Sequence, residues 1–211
     1  MRTVNEDLTA RARIRDAALR LFAERGIEGA TIRDIAKEAG VSLGLVRHHF
    51  GSKEELRDAC DRYALDRLLA IKEKVVLDGQ LANPGFMSAN HPTIVALNRY
   101  FARALLDGSP AAAGMFDEMV ELTEQWVKRY YPGDIRDPRA HAAVLCAMQI
   151  GMLGMHEHLS RALGADILSP EGHLRMTRGA IDFYSNPLLT PEQASQAHAT
   201  IDQLTSEGGE R

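Results

Sequence analysis

Apolar residues recur at three- and four-residue steps along nearly the whole chain, and no run of useful length alternates apolar with polar as a strand would. The pattern predicts helices near 8–25, 32–39, 43–50, 52–78, 92–107, 110–131, 138–163, 170–185 and 191–205. Their starts are legible. Ser109-Pro110, Asp137-Pro138, Ser169-Pro170 and Thr190-Pro191 each set a side-chain acceptor before a proline. The acceptor caps free N–H groups, and proline at the first helical position loses nothing by lacking one. His91-Pro92 is a weaker form of the same start. Stops fall at Gly26, Gly40, Gly79, Gly108, Gly164 and Pro132-Gly133. The stretch 81–90, rich in Asn, Gly, Pro and Ser, is expected to be a loop, and 206–211 a frayed tail. The expected fold class is all-α: an N-terminal three-helix unit over 1–51, joined by a long helix to a larger helical bundle within 52–211. The helix from Ser52 would run roughly 40 Å, long enough to belong to both parts.

Composition refines this picture modestly. With 45% apolar residues and 6% aromatics, Ala, Leu and Met supply most of the core volume, which favours helices over strands. The formal charge is −4, unevenly spread. Residues 1–57 hold eleven Lys/Arg against nine Asp/Glu, a net of +2, and the remainder carries −6. Cys60 and Cys146 lie far apart in helical apolar patterns, as buried thiols do, and form no zinc-type cluster. Early charges at Arg2, Glu6 and Asp7 do not fit a signal peptide. The longest apolar run, 142–155, suits a buried core helix rather than a membrane span. A cytoplasmic protein without metal or cofactor is expected, and no nucleophile–base pair or phosphate loop assembles into an enzyme's site.

One segment carries distinctive chemistry. In Thr31 to Phe50, Thr31 and Asp34 have capping-box spacing, Gly40 ends a two-turn helix, and a second helix follows Ser42. Ile32, Ile35, Ala39, Val41, Val46 and Phe50 supply buried faces, with small Ala36 at the crossing. Ile14, Ala17, Ala18, Leu21 and Phe22 form a covering stripe. Ser42, Leu43, Gly44, Leu45, Arg47, His48 and His49 remain outward. Such a face fits a DNA major groove about 12 Å wide. Arg47 suits guanine acceptors or a phosphate, Leu43 and Leu45 suit thymine methyls, and Gly44 permits close approach. Histidines 48 and 49 contact phosphate or are ordinary surface residues. Ser52-Lys-Glu-Glu55 is a second capping box, whose amides and Lys53 offer a phosphate site.

The text from Ala12 to Leu56, with its Phe-Ala-Glu-Arg-Gly, Asp-Ile-Ala and His-His-Phe-x-Ser-Lys-Glu-Glu-Leu runs, strongly resembles the N-terminal domain of the tetracycline-repressor (TetR) family. The resemblance implies a helix-turn-helix DNA-binding domain over 1–51 and an effector-binding and dimerisation domain over 52–211. It implies a homodimer on double-stranded DNA at a palindromic operator, and an unidentified small-molecule effector that shifts the spacing of the two heads. By position it places Thr31, Arg33, Ser42, Leu43, Gly44, Leu45, Arg47, His49 and Lys53 where the family contacts DNA. Many members carry Tyr where this chain has Arg47, so operator preference does not transfer. Helix order makes 138–163 and 170–185 the dimer pair. The run 142–155, apolar on nearly all sides, needs cover on more than one face, from a partner or from its own subunit, and Gly151 and Gly154 would admit close helix approach. Tyr100, Phe101, Phe116, Met119, Trp126, Met152 and His156 are candidates for an effector pocket or plain core. A repressor released by its ligand is the first reading. A constitutive DNA-binding regulator, marked by a fully packed C-terminal core, is the second.

Overall fold

The computed structural model describes residues 4–130 and 135–208. Its elements are α1 (Val4–Gly29), α2 (Ile32–Ala39), α3 (Leu43–Phe50), α4 (Lys53–Leu77), α5 (Pro84–Ala104), α6 (Pro110–Tyr130), α7 (Pro138–Gly154), α8 (His156–Leu163), α9 (Pro170–Ser185) and α10 (Pro191–Gly208), with a 3₁₀ turn at Gln80–Ala82. The described residues contain no strand. No helix among them is long and apolar enough to cross a membrane.

The caps read from sequence form as hydrogen bonds. Ser109 Oγ accepts from Ala112 N, Asp137 Oδ1 from Ala140 N, Ser169 Oγ from Gly172 N and Thr190 Oγ1 from Gln193 N. α1 breaks at Gly26 (φ 75°, ψ 167°), where the sequence puts its end. The stop read at Pro132-Gly133 lies outside the described residues.

Three readings need correction. The expected loop 81–90 is helical from Pro84, and α5 does not start at His91-Pro92. Asn83 Oδ1 accepts from the amides of Gly85 and Phe86, so Asn83-Pro84 is the start, in the same acceptor-proline form as the others. Pro92 sits inside the helix. It leaves the Ser88 carbonyl without its helical donor, which is tolerated because both residues are exposed to solvent. The expected single helix 138–163 is two helices, parted at Met155 (φ −95°, ψ 22°) behind Gly151 and Gly154, whose poor helix propensity weakens the last turn. Gly154 lets Leu106 approach closely, whereas Gly151 faces open space. The tail expected from Ser206 is still helical to Gly208.

One apolar core runs through head and body. Ile14, Ala17, Ala18, Leu21 and Phe22 on α1, Ile35 and Ala39 on α2, Val46 and Phe50 on α3, and Leu56 and Cys60 on α4 continue into Tyr100 and Phe101 on α5, Met119 on α6 and Cys146 on α7. α1 packs on α2, α4 and α5, and α6 on α7. The head therefore rests directly on the body. Phe22→Ala is expected to cost about 3–5 kcal/mol, read from a urea midpoint, because the side chain is fully enclosed.

α9 docks on α5 through two histidines. His91 Nε2 and His173 Nδ1 lie 3.0 Å apart. Gly172 beside them has no room for a Cβ against the Asp166 carbonyl. Burial, with the His91 ring adjacent, holds His173 down at about 4, against an ordinary 6.5. The unfolded chain then binds this proton at higher pH than the native one. The contribution is intact above pH 6.5 and declines as pH falls toward 4. Between pH 6.5 and 5 the loss is on the order of 1 kcal/mol once residual solvent screening is allowed for. Unfolding free energies for the native chain and His173→Leu across that window should diverge in slope; parallel curves would contradict this.

Candidate DNA interface

The reading head is built from short-range contacts. Thr31 Oγ1 accepts from Asp34 N at 3.1 Å, and Thr31 N donates to Asp34 Oδ2 at 3.2 Å, closing the capping box that starts α2. These hydrogen bonds from Thr31, then the charges of Arg25 and Lys37, hold the Asp34 carboxyl below the usual carboxylate range. Gly40 (φ 64°, ψ 41°) closes α2 in the left-handed conformation, with its N–H on Ala36 and Lys37 carbonyls. Ser42 Oγ then accepts from Leu45 N at 3.2 Å to start α3. Gly51 (φ 68°, ψ −87°) turns the chain into Ser52, whose box with Glu55 is complete: Ser52 N donates to Oε2 at 2.8 Å, and Glu55 N to Ser52 Oγ at 3.0 Å.

Two glycines are thus fixed by φ, with different penalties. Gly40→Ala meets only left-handed strain, about 1–2 kcal/mol. At Gly51 the backbone lies outside even the left-handed helical well, and a Cβ would overlap the Glu55 carboxylate that holds the box. Gly51→Ala is expected to destabilise by about 2–4 kcal/mol, and chemical denaturation of both variants would rank them. Equal costs would contradict the clash.

α3 presents its outer face as follows. Val46 and Phe50 are buried against the core. Gly44, Arg47 and His48 are exposed, and Leu43, Leu45 and His49 are half-buried. A side chain at Gly44 would meet little but the Ser42 hydroxyl, so its lack of one keeps this part of the helix low. Thr31, Arg33 and Ser42 are exposed. Lys53, half-buried, lies at the start of α4 with Nζ 3.5 Å from the Glu28 carbonyl, a long contact that leaves donors for a phosphate. Lys53 thus sets the first turn of α4 beside the end of α1 at Glu28, three residues before the Thr31 cap, and α3 packs on α2 and α4. Arg11 lies over the Phe50 ring at 5.1 Å and backs α3. An α-helix of this kind fits a major groove, and the capped N-termini of α2 and α4 offer amides that favour anions.

The junction behind the head contains a cluster that sequence reading did not single out. Arg57 Nη2 donates to the Ala104 carbonyl at 3.2 Å and pairs with Asp107 at 2.9 Å, while its Nε lies 3.6 Å from Asp61. The Tyr100 hydroxyl donates to Asp61 in a short hydrogen bond. Burial pushes the Asp61 carboxyl up, against the opposing pull of Tyr100 and Arg57. At Asp107 burial also pushes up, but hydrogen bonds from Ser109 and Arg57 outweigh it and the carboxyl is lowered. The cluster rivets α4 to the end of α5. The Arg57/Asp61 spacing on α4 is the trace of it in the sequence; the partners lie 39 and more residues away.

The seven effector-pocket candidates do not share one site. Tyr100, Phe101 and Met119 are core, with Phe116 packed against them. Phe116 also lines an open cleft of about 410 Å³ with Leu105, Ala112 and Ile150. Trp126 stacks beside Tyr130 with ring centroids 5.9 Å apart, its buried indole N–H unpaired. Met152 and His156 are half-buried on either side of the break between α7 and α8. A second cleft, about 300 Å³, opens between the end of α1 and the end of α5. Lys72 crosses from α4 to Gln149 on α7 at 2.9 Å, and burial lowers its ammonium below the ordinary range. Among the described residues no three of His, Cys, Asp and Glu converge on a point that would hold a metal.

Comparison with known proteins agrees with this geometry. Residues 14–60 match the family model for bacterial regulatory proteins of the tetR family, and 94–190 match the tetracyclin repressor-like C-terminal domain. Over 160 residues the chain is 35% identical to the HTH-type transcriptional regulatory protein RaaS of Mycobacterium tuberculosis, covering 72% of this chain and 75% of that protein. Over 69 residues it is 44% identical to the HTH-type transcriptional repressor KstR2 of Rhodococcus jostii, covering 33% and 34%. A crystal structure of a protein assigned to the TetR family from Rhodococcus sp. superposes with a TM-score of 0.59 at 23% identity, over 83% of this chain and 97% of that one. A structure describing control of antibiotic production by bacterial hormones superposes at 0.51 and 27% identity, over 83% and 96%. This chain is a DNA-binding transcriptional regulator. It belongs to the TetR family.

Proposed function

We propose that the chain acts in the cytoplasm as a homodimeric repressor that binds a palindromic operator and is released by a small, largely apolar molecule. Each subunit places α3 in the major groove: Arg47 meets guanine acceptors or a phosphate, and Leu43 and Leu45 meet thymine methyls across the gap left by Gly44. Thr31, Arg33, Ser42, His48, His49 and Lys53 grip the backbone on either side. The observation that supports this reading is the exposure of Gly44, Arg47 and His48 on α3, which packs between two helices with capped N-termini.

Pairing of two subunits through α7–α8 and α9 is supported by uncovered apolar surface. Val144, Met148 and Met155 are exposed on the run expected to need cover on more than one face, as is Phe183 on α9. Release by a ligand is supported by the cleft at Phe116, by the direct seating of the head on α5, and by the structural relative described for control of antibiotic production by bacterial hormones. Ligand bound beside Phe116 would displace the α5–α6 connection, and the Arg57 cluster would pass that movement to α4. A hundredfold release requires a coupling of roughly 2.7 kcal/mol. The close packing around Tyr100 and Phe101 favours the other reading, a constitutive regulator. Titrating an operator-bound sample with a panel of apolar small molecules, followed by fluorescence anisotropy, separates the two. At least one compound should shift operator affinity through a site that Phe116→Arg removes; if every compound that binds leaves operator affinity unchanged, the constitutive reading holds.

A further inference from the structure

α10 lies beyond both segments that match the family models, which end at residue 190. Every side chain from Ser195 to Ser206 is exposed. Among the described residues, the exposed ion pair from Arg136 to Asp202, at 2.7 Å, ties it to the rest of the chain. An 18-residue helix so held is marginal in water, since short helices draw their stability from packing an apolar face. α10 has such a face. Ala194, Ala197, Ile201 and Leu204 recur at three- and four-residue steps, the spacing of a two-helix seam. Ile201 and Leu204 are 57% and 64% exposed.

Two observations indicate what covers this seam. The first is charge. α10 carries Glu192, Asp202 and Glu207 and no Lys or Arg, whereas the middle of α9 sets exposed Arg175 and Arg178 among exposed Leu174 and Ile181, its acidic Glu171 and Asp182 lying toward the two ends. The chain's own α10 leaves that face open, so a second α10 is free to take it. The second is area. The accessible surface is 13476 Å², while a compact protein of 23.3 kDa is expected to expose about 9,700 Å². The excess is ample for the roughly 1,000–2,500 Å² per subunit that stable homodimers bury.

We propose that α10 is an exchanged arm: its Ala194–Leu204 seam lies across α9 of a second copy of this chain, with its acidic residues against Arg175 and Arg178. The arm rests on the homodimer reading and adds to it a clasp outside the matched family segment. Sedimentation of the full chain tests both. The native chain should be dimeric, and Ile201→Glu with Leu204→Glu should weaken the dimer by about tenfold or more. A native chain that sediments as a monomer would overturn the homodimer reading and the arm with it. A native dimer whose affinity the double variant leaves unchanged would overturn the arm alone. A second experiment does not depend on the double variant. Cys60 and Cys146 are buried, so Ile201→Cys offers a selectively reactive thiol for a photocrosslinker. Labelled light copies are unfolded and refolded together with an excess of unlabelled, isotopically heavy native ones, so that mixed dimers form. Crosslinks from light α10 to heavy 170–185 peptides are expected; crosslinks confined to light–light pairs within one chain would overturn the arm.

Discussion

A chain carrying Arg47→Ala together with Lys53→Ala is expected to bind its operator on the order of a hundredfold more weakly, with a shallower salt dependence. Arg47 is exposed on α3 and Lys53 stands at the first turn of α4, so neither substitution opens the core. A lost guanine pair would cost about 1–3 kcal/mol, and each lost phosphate contact would reduce the salt slope by about one. The two single variants distinguish the roles. Lys53→Ala should weaken all sequences alike, whereas Arg47→Ala should also relax preference at one base position if it reads a base. Anisotropy titrations at several salt concentrations measure both quantities. Unchanged affinity and slope in the double variant would rule out this docking.

The second large effect concerns stability. Arg57→Ala is expected to cost about 3 kcal/mol, because it strips the counter-ion from Asp61 and the donor from the Ala104 carbonyl, both enclosed at the head–body junction. Asp61→Asn in the same chain should recover part of that loss, since the amide leaves no unpaired charge while still accepting from Tyr100. Urea denaturation of the two variants gives the comparison. If Arg57→Ala proves neutral, the cluster is not the rivet described. The same substitution should reduce the effect of any ligand on DNA binding, because movement at the α5–α6 connection would no longer reach α4 through Asp107.

The head was legible in the sequence because what makes it is local. A capping box is two hydrogen bonds across three residues, and a left-handed glycine declares itself one position at a time; Thr31–Asp34, Gly40 and Ser52–Glu55 needed no tertiary knowledge. The body was legible as a helical bundle, but six expected helices became seven when 138–163 divided at Met155. Asn83-Pro84 had the same acceptor-proline form as four recognised starts, but the surrounding Gly, Asn and Ser outweighed it, and Pro92 drew the start eight residues late. The junction was hidden for a different reason. Arg57 meets the Ala104 carbonyl 47 residues on, and no periodicity encodes that meeting. The run 142–155 reads as a surface needing cover on more than one face, and Val144, Met148 and Met155 are exposed in one chain, yet nothing in that pattern says which chain supplies the cover.

In the proposed complex two α3 helices read successive major grooves of one palindrome. Hydroxyl-radical footprinting of the native protein on DNA selected from a random pool tests it directly. Two-fold-symmetric protection is expected on one face of the duplex, its half-site centres about one or a small whole number of helical turns apart, each turn about 34 Å, and the pattern should be lost in the Arg47→Ala, Lys53→Ala chain. A single unpaired patch, or protection that persists unchanged in that variant, would contradict it.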